Sequence, residues 1–462
     1  MTRLLKNSAT LVVGRIALSA MRMIAALIVA RLAGAEDFGA YVLLISLIAL
    51  AEWLVDFGQT DMAVRDAARR AGRQVAVLAA LARAKRVQGP AVALLLPLGL
   101  WLAGQDRAIL LAGCAGSVAV LATAAMQPAR AALRLALRMD RDIGAELAGV
   151  ALMLPLLAIA CLYRAPLSLL IGSFALARLA QALLVTHWAG PLKQAQGRFP
   201  ITRLVHRALP LGCAGLLVLL YDALAPLLLA HLLDMRAVAL YAAAARFIMP
   251  VLVAVQAVAS AAFPLIARDW RRDPAAFART QQGTLLLSVA LAALMFAGIH
   301  GGAGFLMGLM GPDFVAGAPL LQLMAWTLLA RAITTAMSPL IVVAGRQGRA
   351  MLLTMLSLAG QCAALFLLVP VMGVIGAAWA CLLVELLLGT IAVSWIAQHV
   401  TGLTIDWRSV AALIGSAVVA ALLVGASPLA GSLMGGAAAA AIVLAFMALS
   451  MPRWRHFAGG LA

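Results

Sequence analysis

Apolar stretches of about 20 residues, separated by short polar or basic segments, recur along the whole chain. Each is as long as a helix must be to cross the ~30 Å hydrocarbon core of a bilayer at ~1.5 Å per residue. The apolar residues run in blocks and do not alternate, which excludes a porin-like barrel and leaves helices as the spanning element. Composition closes the other routes: 65% of the 462 residues are hydrophobic and 11% are charged, against roughly 25% charged in a soluble domain. A soluble enzyme and a disordered chain are both excluded.

Spans are expected near residues 9–31, 38–57, 87–104, 108–127, 143–162 and 166–186. A second set is expected near 208–232, 238–266, 283–309, 316–343, 350–371 and 373–397, with a final pair near 408–426 and 431–450. The expected fold class is an all-α polytopic membrane protein of about 14 transmembrane helices. The expected domains are a six-helix lobe over 1–190, a second over 191–400, and a C-terminal helix pair and tail over 401–462.

The distribution of positive charge tests that count, because a wrong number of spans would scramble its alternation. With the N-terminus in the cytoplasm, 26 of the 35 Lys and Arg fall in cytoplasmic segments, five lie within spans, and four (Arg31, Arg107, Arg164 and Arg236) fall on the opposite side. Both termini are therefore expected in the cytoplasm of a multi-pass protein of the cytoplasmic (inner) membrane. The net charge of +18 gathers on one face, in segment 65–86 and the stripe Arg130, Arg134, Arg138 and Arg141. Adhesion to the anionic headgroups of the lipid bilayer accounts for it, and no nucleic-acid partner is expected.

Five cysteines (Cys114, Cys161, Cys213, Cys362 and Cys381) all fall in apolar stretches without a CxxC pair or a nearby His in ligand spacing, so no metal site or cofactor is expected. Arg3 and Lys6 precede the first apolar run as in a signal peptide, but Arg15 and Arg22 interrupt that run, and it is expected to be retained as the first span. A short internal match is visible: Leu27, Ala30, Leu32 and Tyr41 align with Leu227, Ala230, Leu232 and Tyr241 at an offset of 200. Six spans per half would make the halves parallel repeats, with a cleft between them as the default transport site.

The first 70 residues contain Leu4-Leu5-Lys6-Asn7-Ser8, Ala30-Arg31-Leu32-Ala33-Gly34, Glu36-Asp37-Phe38-Gly39-Ala40-Tyr41 and Asp56-Phe57-Gly58. This pattern resembles the polysaccharide-biosynthesis (Wzx-type) flippase family, within the multidrug, oligosaccharidyl-lipid and polysaccharide exporter superfamily. The resemblance implies two six-helix lobes around a central cavity. It also implies export of an undecaprenyl-diphosphate-linked oligosaccharide, the repeat unit of an O-antigen, capsule or exopolysaccharide. A polysaccharide polymerase and other assembly proteins are candidate protein partners. The sequence shows no close match to the lipid II flippases over this pattern and lacks the signatures of the drug exporters, which disfavours a peptidoglycan precursor as cargo.

An ionised Arg at mid-membrane costs about 2.5–3.5 kcal/mol, so Arg15, Arg22, Arg178, Arg246 and Arg331 are expected to face protein or water. Arg15 and Arg22, seven residues apart, share a helix face with Ser8 and Ser19. In the eighth span Arg246, Gln256 and Ser260 follow the same logic through Met249 and Val253; in the tenth, Thr327, Arg331, Thr334 and Ser338 do so. The guanidinium fork suits a diphosphate and never deprotonates, while hydroxyls and amides suit sugar oxygens. The candidate substrate-binding residues are therefore Arg15, Arg22, Arg246, Arg331, Gln256, Ser260 and Thr334. The alternative for each Arg is a structural pair with a buried acid.

The acids are candidates for ion coupling or gating. Glu52 and Asp56 are four apart and share a face; the competing readings are proton coupling, a salt bridge from Glu52 to an Arg of the first span, and a helix-end position for Asp56. Asp222 stands four residues before the kinking Pro226, which suits a hinge with an ion site or plain packing. Glu385 has no polar companion at helical spacing and is expected in a buried ion pair across its lobe.

No catalytic constellation is present: there is no HExxH, no GxSxG and no phosphate-binding Gly-rich loop. An enzyme of the same pathway would usually need a large outside loop or acid cluster, and the longest outside loop, 300–315, has only Asp313. A cationic cavity separates the two transport readings, since it attracts diphosphates and repels the cationic cargo of an ion-coupled multidrug exporter.

Overall fold

The computed structural model describes residues 2–69, 73–190, 199–270 and 272–458. Every regular element among them is helical. Lipid requires this, because without water each backbone N–H and C=O must be satisfied within its own segment. The chain divides into two compact units, residues 1–227 and 228–462. The lobe junction expected at 190/191 borders residues 191–198, which lie outside the described residues.

The first unit contains α1 (Thr2–Leu32), α2 (Ala35–Asp56), α3 (Gln59–Ala68), α4 (Gln74–Leu102), α5 (Arg107–Leu135), α6 (Met139–Leu162), α7 (Leu167–Ala189) and most of α8 (Ile201–Leu232). Helix α5 packs against α2, α4 and α7, while α1 lies on α6. Small residues permit these approaches, which in lipid are driven by packing rather than by water exclusion. A Cβ added at Gly116 of α5 would stand 2.7 Å from Ile48 of α2, and one at Gly149 of α6 2.8 Å from the Ala177 carbonyl of α7. Helix α2 stops where Phe57 (φ 43°) and Gly58 (φ 71°) both turn left-handed, redirecting the chain into the short α3.

The second unit holds α9 (Met235–Asp269), α10 (Pro274–Gly301), α11 (Ala303–Met310), a 3-10 turn (Pro312–Gly317), α12 (Ala318–Met337), α13 (Pro339–Val343), α14 (Gln347–Met372), α15 (Val374–His399), α16 (Trp407–Gly425) and α17 (Leu433–Ala458). Helix α10 packs against α9, α12, α16 and α17. The C-terminal helix pair is thus built into this unit through glycines: a Cβ at Gly301 would sit 2.9 Å from the Gly435 carbonyl, and one at Gly436 2.7 Å from that of Gly298. The offset-200 match has a local counterpart: Phe38 and Tyr41 of α2 and Val238 and Tyr241 of α9 are all buried.

Twelve helical segments are long and apolar enough to cross a membrane among the described residues. Helices α1 and α4, expected as spans near 9–31 and 87–104, are 31 and 29 residues long and are not among those twelve. Arg15 and Arg22 lie within α1, and Arg83, Lys85 and Arg86 within α4. Large apolar side chains on the outer faces, such as Leu95, Leu183, Leu367 and Leu422, expose more than half their surface. In water such patches would aggregate; in a bilayer they meet lipid. The protein is a multi-pass, all-α membrane protein.

Candidate functional site: intramembrane ion pairs

In the first unit, the Arg178 guanidinium on α7 donates to Glu52 Oε2 on α2 at 2.9 Å, and the Thr123 hydroxyl on α5 donates to Glu52 Oε1 at 2.7 Å. Arg178 also donates to Gln181 one turn on (2.9 Å) and lies over the Phe174 ring at 5.0 Å. Two of the expected readings for Glu52 are a salt bridge to the first span and proton coupling. Its salt-bridge partner is on α7 and not on the first span, whose Arg22 turns toward α6. There Arg22 donates to Glu146 Oε1 at 2.6 Å. Arg22 remains 53% exposed despite this bond, which leaves donors of its fork for another anion. Arg15, two turns earlier, is also exposed.

Asp56 ends α2 and accepts from the Thr60 hydroxyl at 2.5 Å, at the first turn of α3. The buried Lys85 of α4 secures the same break, donating to the carbonyl of Val55 (2.5 Å) and to Gln59 Oε1 (3.0 Å), with Asp56 Oδ1 at 4.0 Å. Here a cation satisfies the last carbonyls of α2, groups that a helix end otherwise leaves open.

The second unit repeats the chemistry with different helices. Arg331 on α12 donates to Glu385 Oε2 on α15 at 3.2 Å, and the Thr334 hydroxyl, one turn along α12, donates to Glu385 Oε1 at 2.9 Å. Two candidate substrate residues are therefore engaged with one candidate coupling acid. Arg246 is half-buried on α9, where Gln256 and Ser260 are exposed; Asp222 is exposed on α8. In each unit an intramembrane carboxylate is thus held by one guanidinium and one Thr hydroxyl, which satisfies both oxygens and neutralises the charge.

Sequence reading did not single out Glu146, Thr123, Gln181 or Lys85 as partners. Thr123 and Gln127 are four apart on α5, a polar pair at helical spacing that marks an inward face. No comparable signal marks Glu146. Among the described residues no group of three or more His, Cys, Asp or Glu is placed to hold a metal ion.

The sequence matches the polysaccharide biosynthesis protein family over residues 4–270. The chain belongs to that family. This member has the fold of solved transporters of the MOP superfamily. The lipid II flippase MurJ in an inward closed conformation aligns with a TM-score of 0.81 at 10% identity, covering 98% of this chain and 100% of the other. An inward-facing multidrug resistance MATE transporter aligns at 0.67 with 14% identity, over 83% of this chain and 94% of the other. A MOP superfamily transporter from Pyrococcus furiosus, described by the reverse polarity of its binding pocket, gives 0.59 at 15% identity, over 86% and 95%. No sequence among curated proteins matches the chain. At 10–15% identity to these three structures the backbone architecture is nevertheless shared. Helix packing tolerates apolar exchange wherever size and hydropathy are kept.

Proposed function

We propose that this family member is a flippase that moves an undecaprenyl-diphosphate-linked oligosaccharide, a repeat unit of O-antigen, capsule or exopolysaccharide, across the cytoplasmic membrane by alternating access. The observation that carries this reading is the meeting of two facts. The family is that of polysaccharide biosynthesis, and the fold over nearly the whole chain is that of a lipid II flippase. A lipid-linked oligosaccharide is the cargo class common to both.

The chemistry of the chain supports the same cargo. Arg15, Arg22 and Arg246 are each proposed to meet the diphosphate in the course of transport, with Gln256 and Ser260 contacting sugar oxygens. Arg331 and Thr334 hold Glu385, and enter the proposal in a state that opens that pair. Glu52, Asp56, Asp222 and Glu385 are the groups proposed to gate or couple transport. The polyprenyl tail stays in lipid throughout, so only the charged head has to cross.

The test is reconstitution of the purified protein in liposomes carrying a fluorescent undecaprenyl-diphosphate oligosaccharide in one leaflet. Protein-dependent movement to the other leaflet is the expected result. Transport of a lipophilic cation with no movement of the glycan lipid would assign the chain to multidrug export, and preference for lipid II would assign it to peptidoglycan precursor export.

A further inference from the structure

We propose that a groove on the flank of the first unit binds an anionic glycerophospholipid of the surrounding bilayer, with its phosphate on Arg86 and His187 and one acyl chain between α4 and α7. The groove has a volume of about 840 Å³ and is walled by α4, α5 and α7 with the Gly190 turn. Arg86 and His187 stand at the basic end of these helices, whereas Leu121, Ala125 and Leu183 belong to the apolar wall. Leu183 is 70% exposed and Leu121 41%, so that wall opens outward and is not part of a packed core. A free phosphate ion would gain nothing from an apolar wall; a lipid uses both parts.

The cations at this end divide into two kinds. Arg130 and Arg134 reach Asp142 at 2.6 and 3.5 Å, and Arg134 also reaches Asp61 at 2.8 Å. Lys85 is tied to the end of α2 and to Gln59 of α3. Among the described residues no carboxylate lies within ion-pair distance of Arg86 or His187. Arg86 is exposed beside the apolar wall of the groove, where a charge in contact with lipid is costly and a phosphate relieves it.

Two prolines refine the headgroup. Pro90 and Pro128 both line the groove, and each lacks the amide that would bond the carbonyl four residues back, at Arg86 and Ala124, which line it too. In the proposed complex these two carbonyls accept from hydroxyl donors of the lipid headgroup. A headgroup with hydroxyls, such as glycerol, supplies both these donors and the phosphate. The small side chains of Ala124 and Ala125 keep the space beside them open.

The experiment uses the full-length protein extracted from vesicles of phosphatidylcholine doped with phosphatidylglycerol, with retained lipid read by native mass spectrometry. Selective retention of phosphatidylglycerol is expected, reduced roughly tenfold in Arg86→Gln/His187→Gln, the scale of one lost hydrogen bond to a charged group. Ala125→Trp, which fills the groove with both cations intact, should lose retention as well, and each variant should melt like the parent. Arg65→Gln, at an exposed basic residue of α3 outside the groove, should change nothing. Equal loss in Arg65→Gln would reduce the effect to surface charge and overturn the site. Displacement by inorganic phosphate would make it an anion site, and tighter retention of undecaprenyl phosphate than of phosphatidylglycerol would make it a cargo site; either overturns the proposal. None of these outcomes depends on transport, so the site and the flippase reading fail separately.

Discussion

Arg178 of α7 and Glu52 of α2 are joined at 2.9 Å across 126 positions of sequence, with side chains only 19% and 13% exposed. Thr123 takes the second carboxylate oxygen, so the acid is neutralised and fully hydrogen-bonded inside the first unit. Such a pair contributes little relative to an apolar replacement, yet breaking it by removing one partner strands the other charge.

Glu52→Gln and Arg178→Met should therefore each lower stability by about 3–5 kcal/mol, while the double variant should lose distinctly less than the sum. Thermal unfolding in detergent across the double-mutant cycle gives the coupling. Additive losses would mean that the two side chains do not act on each other.

Arg22 and Glu146 form an exposed pair, 53% and 22% accessible, and exposed pairs contribute about 0–1 kcal/mol. Arg22→Ala should leave the melting temperature nearly unchanged but abolish glycan export, and Arg22→Lys should restore part of it, keeping charge but not the fork. Glu146→Gln should retain export. If Glu146→Gln fails as badly as Arg22→Ala, Arg22 works through the pair and not on cargo.

Asp406 caps α16, accepting from the Ser409 hydroxyl at 2.6 Å and from the amides of Arg408 and Ser409. Its own amide donates to the buried Gln282 of α10. The Ser409 hydroxyl first, and then these amides and the Arg408 charge, hold its carboxyl below the usual carboxylate range. A depressed folded value means the stabilisation is complete above the unfolded pKa of about 3.9 and is lost as pH falls through the folded one. Asp406→Ala should cost about 1 kcal/mol at neutral pH, with no change between pH 7 and pH 5. Melting curves taken below pH 4 should converge for the two proteins; a constant gap would remove the charge from the cap's contribution.

Topology is open to labelling. Single cysteines at Asp106 and Asp313 should react with an impermeant thiol reagent added outside cells, and those at Arg138 and Arg346 only after permeabilisation. The reverse pattern would invert every leaflet assignment in the proposed transport cycle.

The sequence by itself determined that this chain is a bundle of membrane helices and where most of them run. Hydropathy is a local property, and lipid leaves the backbone no alternative to the helix. It also marked the charged residues within those helices, because each is costly enough to require a partner. Tertiary structure alone decided who the partner is. Glu52 meets Arg178 of α7, and Arg22 of α1 meets Glu146 of α6 across 124 positions. The choice depends on which helices become neighbours and how each is rotated about its axis. Spacing along one helix fixes which residues share a face, but the face opposite is set by packing of small residues such as Gly116 and Gly149, whose consequence appears only when the helices are brought together.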